Sequence, residues 1–209
     1  MSLPLEGFMV LDLTHVMSGP YCTQILGDLG AEVIKIERPD VGDQTRRMPP
    51  HFIGEKKMSA YFLSLNRNKK SLTLDMKSPE GKEIFYELTK KADVVVNNFA
   101  PGTMEKLGMD YETLKKINPR IVWAAITGYG LDGPYRNRPA YDIIIQAVGG
   151  VMSYTGEPDR PPARCGIPYG DLGASIQAVV GILAALLSRA TTGEGRKVDI
   201  SMQIGRAHV

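Results

Sequence analysis

Residues 8–37, FMVLDLTHVMSGPYCTQILGDLGAEVIKIE, decide the fold class. Residues 8–13 are an apolar run of strand length, and residues 32–37 alternate as a second strand. Between them, Pro20 suits the first turn of a helix and Gly30 suits the turn that ends it. A strand, a helix and a strand in this order predict one β-α-β unit, in which the two strands run parallel.

The rest of the chain continues this alternation of strands and helices. Further strands are predicted at residues 72–76, 93–96, 120–127 and 197–201. Further helices are predicted at residues 79–91, 141–153 and 171–189, with short ones between 103 and 117. The polar segment at residues 38–70 is predicted to be a long connection. Together these patterns predict an α/β protein with a mostly parallel sheet and flanking helices.

Composition and charge argue against several classes of function. A formal net charge of +2 over 209 residues creates no general field for nucleic acid or an anionic membrane. The N-terminus does not read as a signal peptide, and the apolar stretch at residues 178–187 is too short for a bilayer span. Cys22 and Cys165 lie far apart and indicate free thiols in a reducing compartment. We therefore expect a cytoplasmic protein that binds neither nucleic acid nor a membrane.

Three polar segments follow predicted strands, at residues 14–19, 37–47 and 97–102. Ligands of open parallel sheets bind beyond the carboxyl ends of the strands, so these segments predict a ligand crevice. Ordinary turn chemistry explains the same glycine, proline and asparagine residues equally well. Basic residues near positions 46, 69 and 137 are either solvated surface or phosphate ligands.

Residues 128–133, GYGLDG, match the spacing of a dinucleotide-binding fingerprint directly after a strand. That fingerprint requires its third glycine to open a helix whose N-terminus faces the pyrophosphate. Pro134 and Pro139 follow instead, so no regular helix begins there, and we do not predict dinucleotide binding. His15 is interpreted as a loop histidine, because no carboxylate partner is found beside it. We predict no metal site.

Asp171 stands at the start of the long apolar helix, between Gly170 and Gly173. One interpretation is a helix N-cap, for which aspartate is a preferred residue. The other is a nucleophile, because the two glycines leave space for a substrate and Ala174 completes no capping box. Both roles are compatible in one residue, since a helix N-terminus stabilises the ionised carboxylate.

Several further motifs stand in one order along the chain. They are VLDLTHV at residues 10–16, LGAEVIKIER at 29–38, NRNKKS at 66–71, DMKSPEG at 75–81, NFAPG at 98–102 and GEGRKVD at 193–199. In this order they resemble the class III CoA-transferases, the CaiB/BaiF family, over residues 5–203.

The resemblance implies that residues 1–203 are the N-terminal part of a large Rossmann-like domain, in a sheet that is incomplete because the chain is truncated. It further implies an interlocked homodimer whose small domain is supplied by later sequence, and a chain that is inactive alone. The substrates implied are an acyl-CoA and a carboxylic acid, with no tightly bound cofactor. Residues 204–209, IGRAHV, coincide with one translation of a widely used sequencing adapter and are expected to be an artefact.

By the same resemblance, Asp171 is the catalytic nucleophile that attacks the thioester of acyl-CoA. Its acyl anhydride is converted to an aspartyl-CoA thioester, from which the acceptor acid takes CoA. Arg38 is implied near the adenosine phosphates and Tyr141 near the thioester. The full set of residues implied at CoA is Val16, Met17, Ser18, Arg38, Leu74, Asp75, Met76, Lys77, Asn98, Phe99, Ala100, Lys106 and Tyr141.

Two positions depart from the formyl-CoA transferase pattern. Met17 replaces a glutamine, and Lys106 replaces an arginine. The racemase branch of the family uses a histidine-aspartate pair of bases, but Tyr141 stands where that histidine is expected. Because proton abstraction on both faces needs two positioned groups, transfer is favoured over racemisation. A non-catalytic nucleotide-binding module, in which Asp171 is only a cap, is the remaining alternative.

Overall fold

The computed structural model describes residues 2–55, 57–203 and, as backbone, 206–208. The strands are β1 (Met9–Asp12), β2 (Glu32–Glu37), β3 (Phe52–Ile53), β4 (Met58–Ser59), β5 (Lys69–Thr73), β6 (Val94–Asn97), β7 (Val122–Thr127), β8 (Lys197–Ser201) and β9 (Arg206–His208). The α-helices are α1 (Ser18–Asp28), α2 (Ala60–Leu65), α3 (Pro79–Lys91), α4 (Thr103–Leu107), α5 (Tyr111–Ile117), α6 (Asp142–Val148) and α7 (Tyr169–Thr192). Two 3-10 helices lie at Gln44–Arg47 and Val151–Tyr154. Of the suspected artefact at residues 204–209, positions 204, 205 and 209 lie outside the described residues, so that interpretation stays a prediction.

The main sheet has the strand order β5-β2-β1-β6-β7-β8-β9. Its first six strands pair in parallel, and β9 pairs antiparallel with β8. The predicted α/β fold with a mostly parallel sheet is therefore confirmed. The order of strands reverses between β1 and β6, and such a reversal leaves a crevice beyond the carboxyl ends of the two strands.

The central strands are buried on both faces. Val10 and Val94 lie in one core cluster with α1 and α7, whereas Leu11 and Val95 lie in the other, beneath α3 and α5. Successive side chains of a strand point to opposite faces, so a strand covered on both sides is apolar throughout. This explains why the strands at β6 and β7 are continuous apolar runs.

The prediction that residues 38–70 form only a long connection was wrong. The segment contains the Gln44–Arg47 3-10 helix, the β3–β4 hairpin and α2, and it leads into β5. β5 begins at Lys69, and the predicted bounds of 72–76 were wrong, because three polar residues occupy its start. The predicted helix at 141–153 is also interrupted, since α6 ends at Val148 and Gly150 adopts a positive φ of 81°.

α7 is 24 residues long and begins at Tyr169, two residues before its predicted start. Among the described helices, it is the one whose length and composition suffice to cross a membrane, with a mean hydropathy of 1.7. The prediction that this apolar segment is too short was therefore wrong. Half of its most apolar window is buried, because residues such as Ala178 and Ile182 pack in the core with α1. Such burial is typical of a core helix.

Two buried ion pairs lie near the β5 edge of the main sheet. Lys69 Nζ is 3.0 Å from Asp12 Oδ2, and Lys35 Nζ is 3.1 Å from Asp43 Oδ2. Burial alone would raise the pKa of Asp12, but Lys69, Lys35 and two threonine hydroxyls outweigh it and hold that pKa well below its usual range. Lys69 Nζ also donates to Pro20 O at 2.8 Å. Lys69 can be buried at the start of β5 because an ion pair and hydrogen bonds compensate for the loss of water around its ammonium group.

We expect Lys69→Met to lower the free energy of unfolding by about 3–5 kcal/mol, since it leaves Asp12 buried without its main counter-charge. The matched control is Lys70→Met on the same strand, whose exposed ion pair with Glu32 is worth less than about 1 kcal/mol. Urea denaturation at pH 7 measures both changes. Equal effects of the two substitutions would contradict the role given to the buried pair.

Candidate functional site

Two adjoining cavities open at the carboxyl ends of β1, β2 and β6, and they share His15 and Phe99. The first cavity has a volume of about 330 Å³ and the second about 620 Å³. Predicted residues that line the first are Val16, Met17, Ser18, Asn98, Phe99, Ala100, Tyr141 and Asp171. Predicted residues that line the second are Arg38, Asp75, Met76, Lys77 and Phe99.

Two predicted residues do not line either cavity. The Leu74 side chain is buried in the core, with 6% of its surface exposed. Lys106 is exposed on α4, although Thr103 and Leu107 of the same helix line the second cavity. Their roles at CoA remain predictions from the family pattern.

The loop between β1 and α1 is held in a tight conformation. Val16 has φ 69°, a left-handed value that is strained for a β-branched residue. At Gly19, a Cβ atom would lie 2.2 Å from Thr14 Cγ2, so only glycine permits this approach. Asn98 fixes the loop to the end of β6: its Oδ1 accepts from His15 N at 2.9 Å, and its Nδ2 donates to His15 O at 2.8 Å.

His15 occupies the boundary between the two cavities. Its ring centroid lies 5.6 Å from that of Phe99, in a tilted arrangement. Burial lowers the pKa of His15, Lys35 lowers it further, and the nearby carboxylates oppose this only in part. The imidazole is therefore neutral at pH 7. The residue is a loop histidine as interpreted from sequence, but that interpretation missed its place in the site, because only the fold brings Phe99 to it.

Asp171 lies in the first turn of α7 and faces the first cavity. The cap interpretation was wrong, because Pro168 occupies the N-cap position and the helix has no side-chain cap from it. A residue on another helix takes that role. Asp142 Oδ1 accepts from Gly170 N at 2.7 Å and from Asp171 N at 3.3 Å. The Asp171 carboxylate therefore does not cap the helix and faces the cavity, where the Ser18 hydroxyl contacts it.

The environment of Asp171 makes its carboxylate a stronger base than usual. Burial raises its pKa to about 6, the charge of Asp142 adds to the rise, and the Ser18 hydroxyl opposes it. The group is still ionised at pH 7. Burial raises the pKa of Tyr61 to about 12, and the charge of Asp171 contributes to that rise. Tyr61 was missed from sequence, because it lies on α2 in the segment predicted as a connection.

The second cavity is lined by two cations and the Asp75 carboxylate, and ionic contacts fix its wall. Arg38 and Lys77 are both exposed and line it. Gln44 belongs to the wall, and its neighbour Arg46 donates from Nε to Glu37 Oε2 at 2.7 Å. Burial acts against ionisation of Glu37, but Arg46 and other donors lower its pKa to about 2. The contact between Arg46 and Glu37 thus attaches the cavity wall to the end of β2.

Two arginines at the rim of the first cavity add positive charge to the cavity that the Asp171 carboxylate faces. Arg136 and Arg138 line it, in the loop that follows β7. Arg138 Cζ lies 3.9 Å above the Tyr135 ring, which in turn contacts Tyr129 edge-on at 5.8 Å. Within the described residues, neither guanidinium forms an ion pair. No helix begins at residues 128–133, as predicted, since α6 starts only at Asp142.

Two adjoining cavities, each lined by two cationic side chains and one carboxylate, thus open at the switch point of a parallel sheet. The model of CoA-transferase family III matches residues 5–208. The chain belongs to this family. The resemblance inferred from sequence is therefore confirmed.

Relatives of this CoA-transferase family III chain carry the names of several transferases. An acetyl-CoA:oxalate CoA-transferase of Acetobacter aceti is 47% identical, covering 95% of this chain and 51% of the relative. A succinyl-CoA:glutarate CoA-transferase of Mus musculus is also 47% identical, covering 95% and 45%. A CaiB/BaiF family crystal structure from Brucella suis superposes with a TM-score of 0.94 at 43% identity, over 98% of this chain and 55% of its own. The chain spans about half the length of the curated relatives it matches.

We expect Asp171→Asn to raise the free energy of unfolding at pH 7.5. The folded protein holds a proton on Asp171 more tightly than the unfolded chain does, so stability falls as the pH rises from 3.8, and the loss is complete above the folded pKa of about 6. A rise from 3.8 to about 6 corresponds to at most about 3 kcal/mol. Below pH 3.8 the advantage disappears, because the carboxyl is then protonated in both states. Urea melts of both proteins at several pH values measure this, and a pH-independent difference would contradict it.

Proposed function

We propose that the protein transfers CoA from an acyl-CoA thioester to a carboxylic acid, with Asp171 as the nucleophile. The observation that supports this most directly is the half-buried Asp171 carboxylate, which faces a cavity that adjoins a second cavity lined by Arg38 and Lys77. The second cavity suits the phosphates of CoA, and the first suits the thioester end and the acids. The names of the relatives support the same class of reaction.

The proposed sequence transfers no proton. An Asp171 carboxylate oxygen attacks the thioester carbonyl carbon, the C–S bond breaks, and CoA leaves as a thiolate. The thiolate then attacks the Asp171 acyl carbon of this anhydride, which releases the donor acid as a carboxylate and leaves an aspartyl-CoA thioester. The acceptor carboxylate attacks that thioester and expels the thiolate again. Finally the thiolate attacks the acceptor acyl carbon, which gives the new acyl-CoA and regenerates Asp171.

The site suits this chemistry in two respects. A carboxylate is ionised at pH 7 without a neighbouring base, and its raised pKa makes it more nucleophilic than an ordinary aspartate. The half-buried position of Asp171 limits the access of water, which would hydrolyse an anhydride. The neutral His15 adds no competing acid at the boundary between the cavities.

Arg136 and Arg138 are proposed to attract the acceptor acid. An acceptor carboxylate must approach a cavity that already contains the Asp171 anion, and like charges at close range repel. The stacked guanidinium of Arg138 keeps its N–H edge available for a bidentate carboxylate. A cation at the rim therefore offsets the repulsion.

We also propose that the whole protein is a cytoplasmic homodimer and that residues 1–209 alone are inactive. The two cysteines form no disulfide, which suits a reducing compartment. Exposed apolar side chains on α6 and α7 provide a surface for association, among them Ile143, Val148, Ile176, Val180 and Leu187.

We expect Asp171→Asn in the full-length enzyme to reduce CoA transfer at least about 1000-fold, because the amide is not a nucleophile. CoA binding, measured by calorimetry, should change less than about threefold. Mass spectrometry of the wild type incubated with acyl-CoA should locate an adduct at Asp171. Asp132→Asn, on an exposed loop, is the matched control. Retention of the normal transfer rate by Asp171→Asn would exclude the mechanism.

We expect Arg138→Met to raise KM for the acceptor acid about 10- to 100-fold, since a charge-assisted bidentate contact is worth roughly 1.5–3 kcal/mol. KM for acyl-CoA should stay within about twofold. Arg138→Lys keeps the charge but loses the planar fork, and should recover only part of the loss. Steady-state kinetics with each substrate varied in turn measure this. An equal rise in both KM values would place Arg138 at CoA instead.

A further inference from the structure

Asp142 makes the contacts that hold the first turn of α7. Its Oδ1 accepts from the backbone N–H groups of Gly170 and Asp171, at 2.7 and 3.3 Å. A Cβ atom at Gly170 would lie 3.1 Å from this oxygen and 3.0 Å from Ile145 Cγ2. The carboxylate is therefore packed tightly against the helix terminus, and a larger residue at position 170 would require it to move.

Gln146, which is buried on the next turn of α6, fixes the orientation of Asp142. Its Nε2 donates to Asp142 Oδ2 at 2.7 Å and to Ile167 O at 3.2 Å. Its Oε1 accepts from Cys165 N at 2.9 Å. Because the oxygen must face Cys165 N–H, the amide nitrogen must face Asp142. One hydrogen-bonded unit therefore links α6 to the segment that leads into α7.

We propose that Asp142 is a positioning residue for the Asp171 nucleophile, holding its helical turn in place and placing a second negative charge beside it. The proposal rests on the proposed function of Asp171. A capping carboxylate also offsets the positive end of the α7 dipole, which would otherwise stabilise the Asp171 anion and weaken it as a nucleophile. Asp142 thus acts through both geometry and charge.

The other groups around Asp171 do not supply this negative charge. Ser18 on α1 contributes a hydroxyl, which favours ionisation. Tyr61 on α2 is neutral at pH 7, because its pKa is raised to about 12. Arg136 and Arg138 in the loop before α6 are cations that line the same cavity. Besides these, His15 is neutral and Tyr141 is exposed.

Two variants separate geometry from charge. Asp142→Asn keeps an oxygen acceptor for the helix N–H groups but removes the charge. Its new amide nitrogen then faces the amide nitrogen of Gln146, so that two donors meet and the hydrogen bond between the side chains is lost. The double variant D142N/Q146E restores this hydrogen bond, because the carboxylate introduced on the second side chain can accept from the new amide and from Cys165 N, although it loses the donation to Ile167 O. It also returns a negative charge, one helical turn further along α6. The matched control is Asp110→Asn, which alters the cap of α5, where Asp110 accepts from Thr113 N at 3.1 Å.

In the full-length enzyme, we expect Asp142→Asn to shift the acidic limb of kcat/KM for acyl-CoA to lower pH, away from about 6. Its plateau rate should fall about 10- to 100-fold, since the nucleophile is less well positioned and less basic. The double variant should recover most of the plateau rate and show an intermediate acidic limb. Asp110→Asn should leave both unchanged. An acidic limb of Asp142→Asn that coincides with the wild type would overturn the proposal.

Titration of the Asp171 carboxyl by carbon NMR gives a readout that does not need turnover. A lower Asp171 pKa in Asp142→Asn than in the wild type supports the charge effect, and an unchanged value overturns it. If the wild-type enzyme transfers no CoA, the proposed function fails, while the NMR comparison still decides what Asp142 does to Asp171. If Asp142→Asn does not fold, the double variant should lower the Asp171 pKa by a smaller amount, because its negative charge lies one helical turn further along α6, and an unchanged pKa again overturns the charge effect.

Discussion

The buried ion pairs Lys69–Asp12 and Lys35–Asp43 are the contacts on which the arrangement of the site depends. Asp12 ends β1, Lys35 lies on β2 and Lys69 opens β5, so one polar cluster spans three neighbouring strands. Asp43 then attaches the loop that follows β2. Removing one charge from such a cluster leaves its partner buried and unsatisfied, which is far less favourable than the intact pair. The second cavity therefore has a firm wall although that wall is a loop.

Each of the two cavities combines two cationic side chains with one carboxylate. Arg38, Lys77 and the Asp75 carboxylate line the larger cavity, and the two cations suit an anionic ligand. The smaller cavity combines the Asp171 anion with two arginines at its rim. His15 and Phe99 stand between them, and neither carries a charge at pH 7. In the proposed function, Arg38 and Lys77 of the larger cavity meet the phosphates of CoA, and Asp171 of the smaller cavity meets its thioester.

At the nucleophile, capping and reactivity are assigned to different carboxylates. A helix terminus attracts an anion, and in this protein that anion is supplied by Asp142 from a neighbouring helix. Asp171 lies in the first turn of α7, where its carboxylate does not cap the helix and faces the cavity instead. Two carboxylates in proximity raise the proton affinity of the one that is less well solvated and less hydrogen-bonded. A structural cap and a basic nucleophile arise from one arrangement.

Local pattern was sufficient for much of the fold. The bounds of β2 and α3 agree with the sequence prediction, because apolar alternation in one case and a Ser-Pro helix start in the other are encoded within the element. Most residues implied at CoA also line a cavity, because they follow strands whose parallel arrangement brings their ends together. Asp171 as the candidate nucleophile likewise came from sequence.

Only the tertiary structure decided the remaining features. Lys69 opens a strand because Asp12, 57 positions away, neutralises it, and no local pattern contains that partner. The roles of His15, Tyr61 and Asp142 were likewise invisible, because each depends on a contact or charge from a distant part of the chain. Sequence determines what an element is when its stabilising contacts are local. The tertiary structure decides which polar groups meet, because burial and charge act through space.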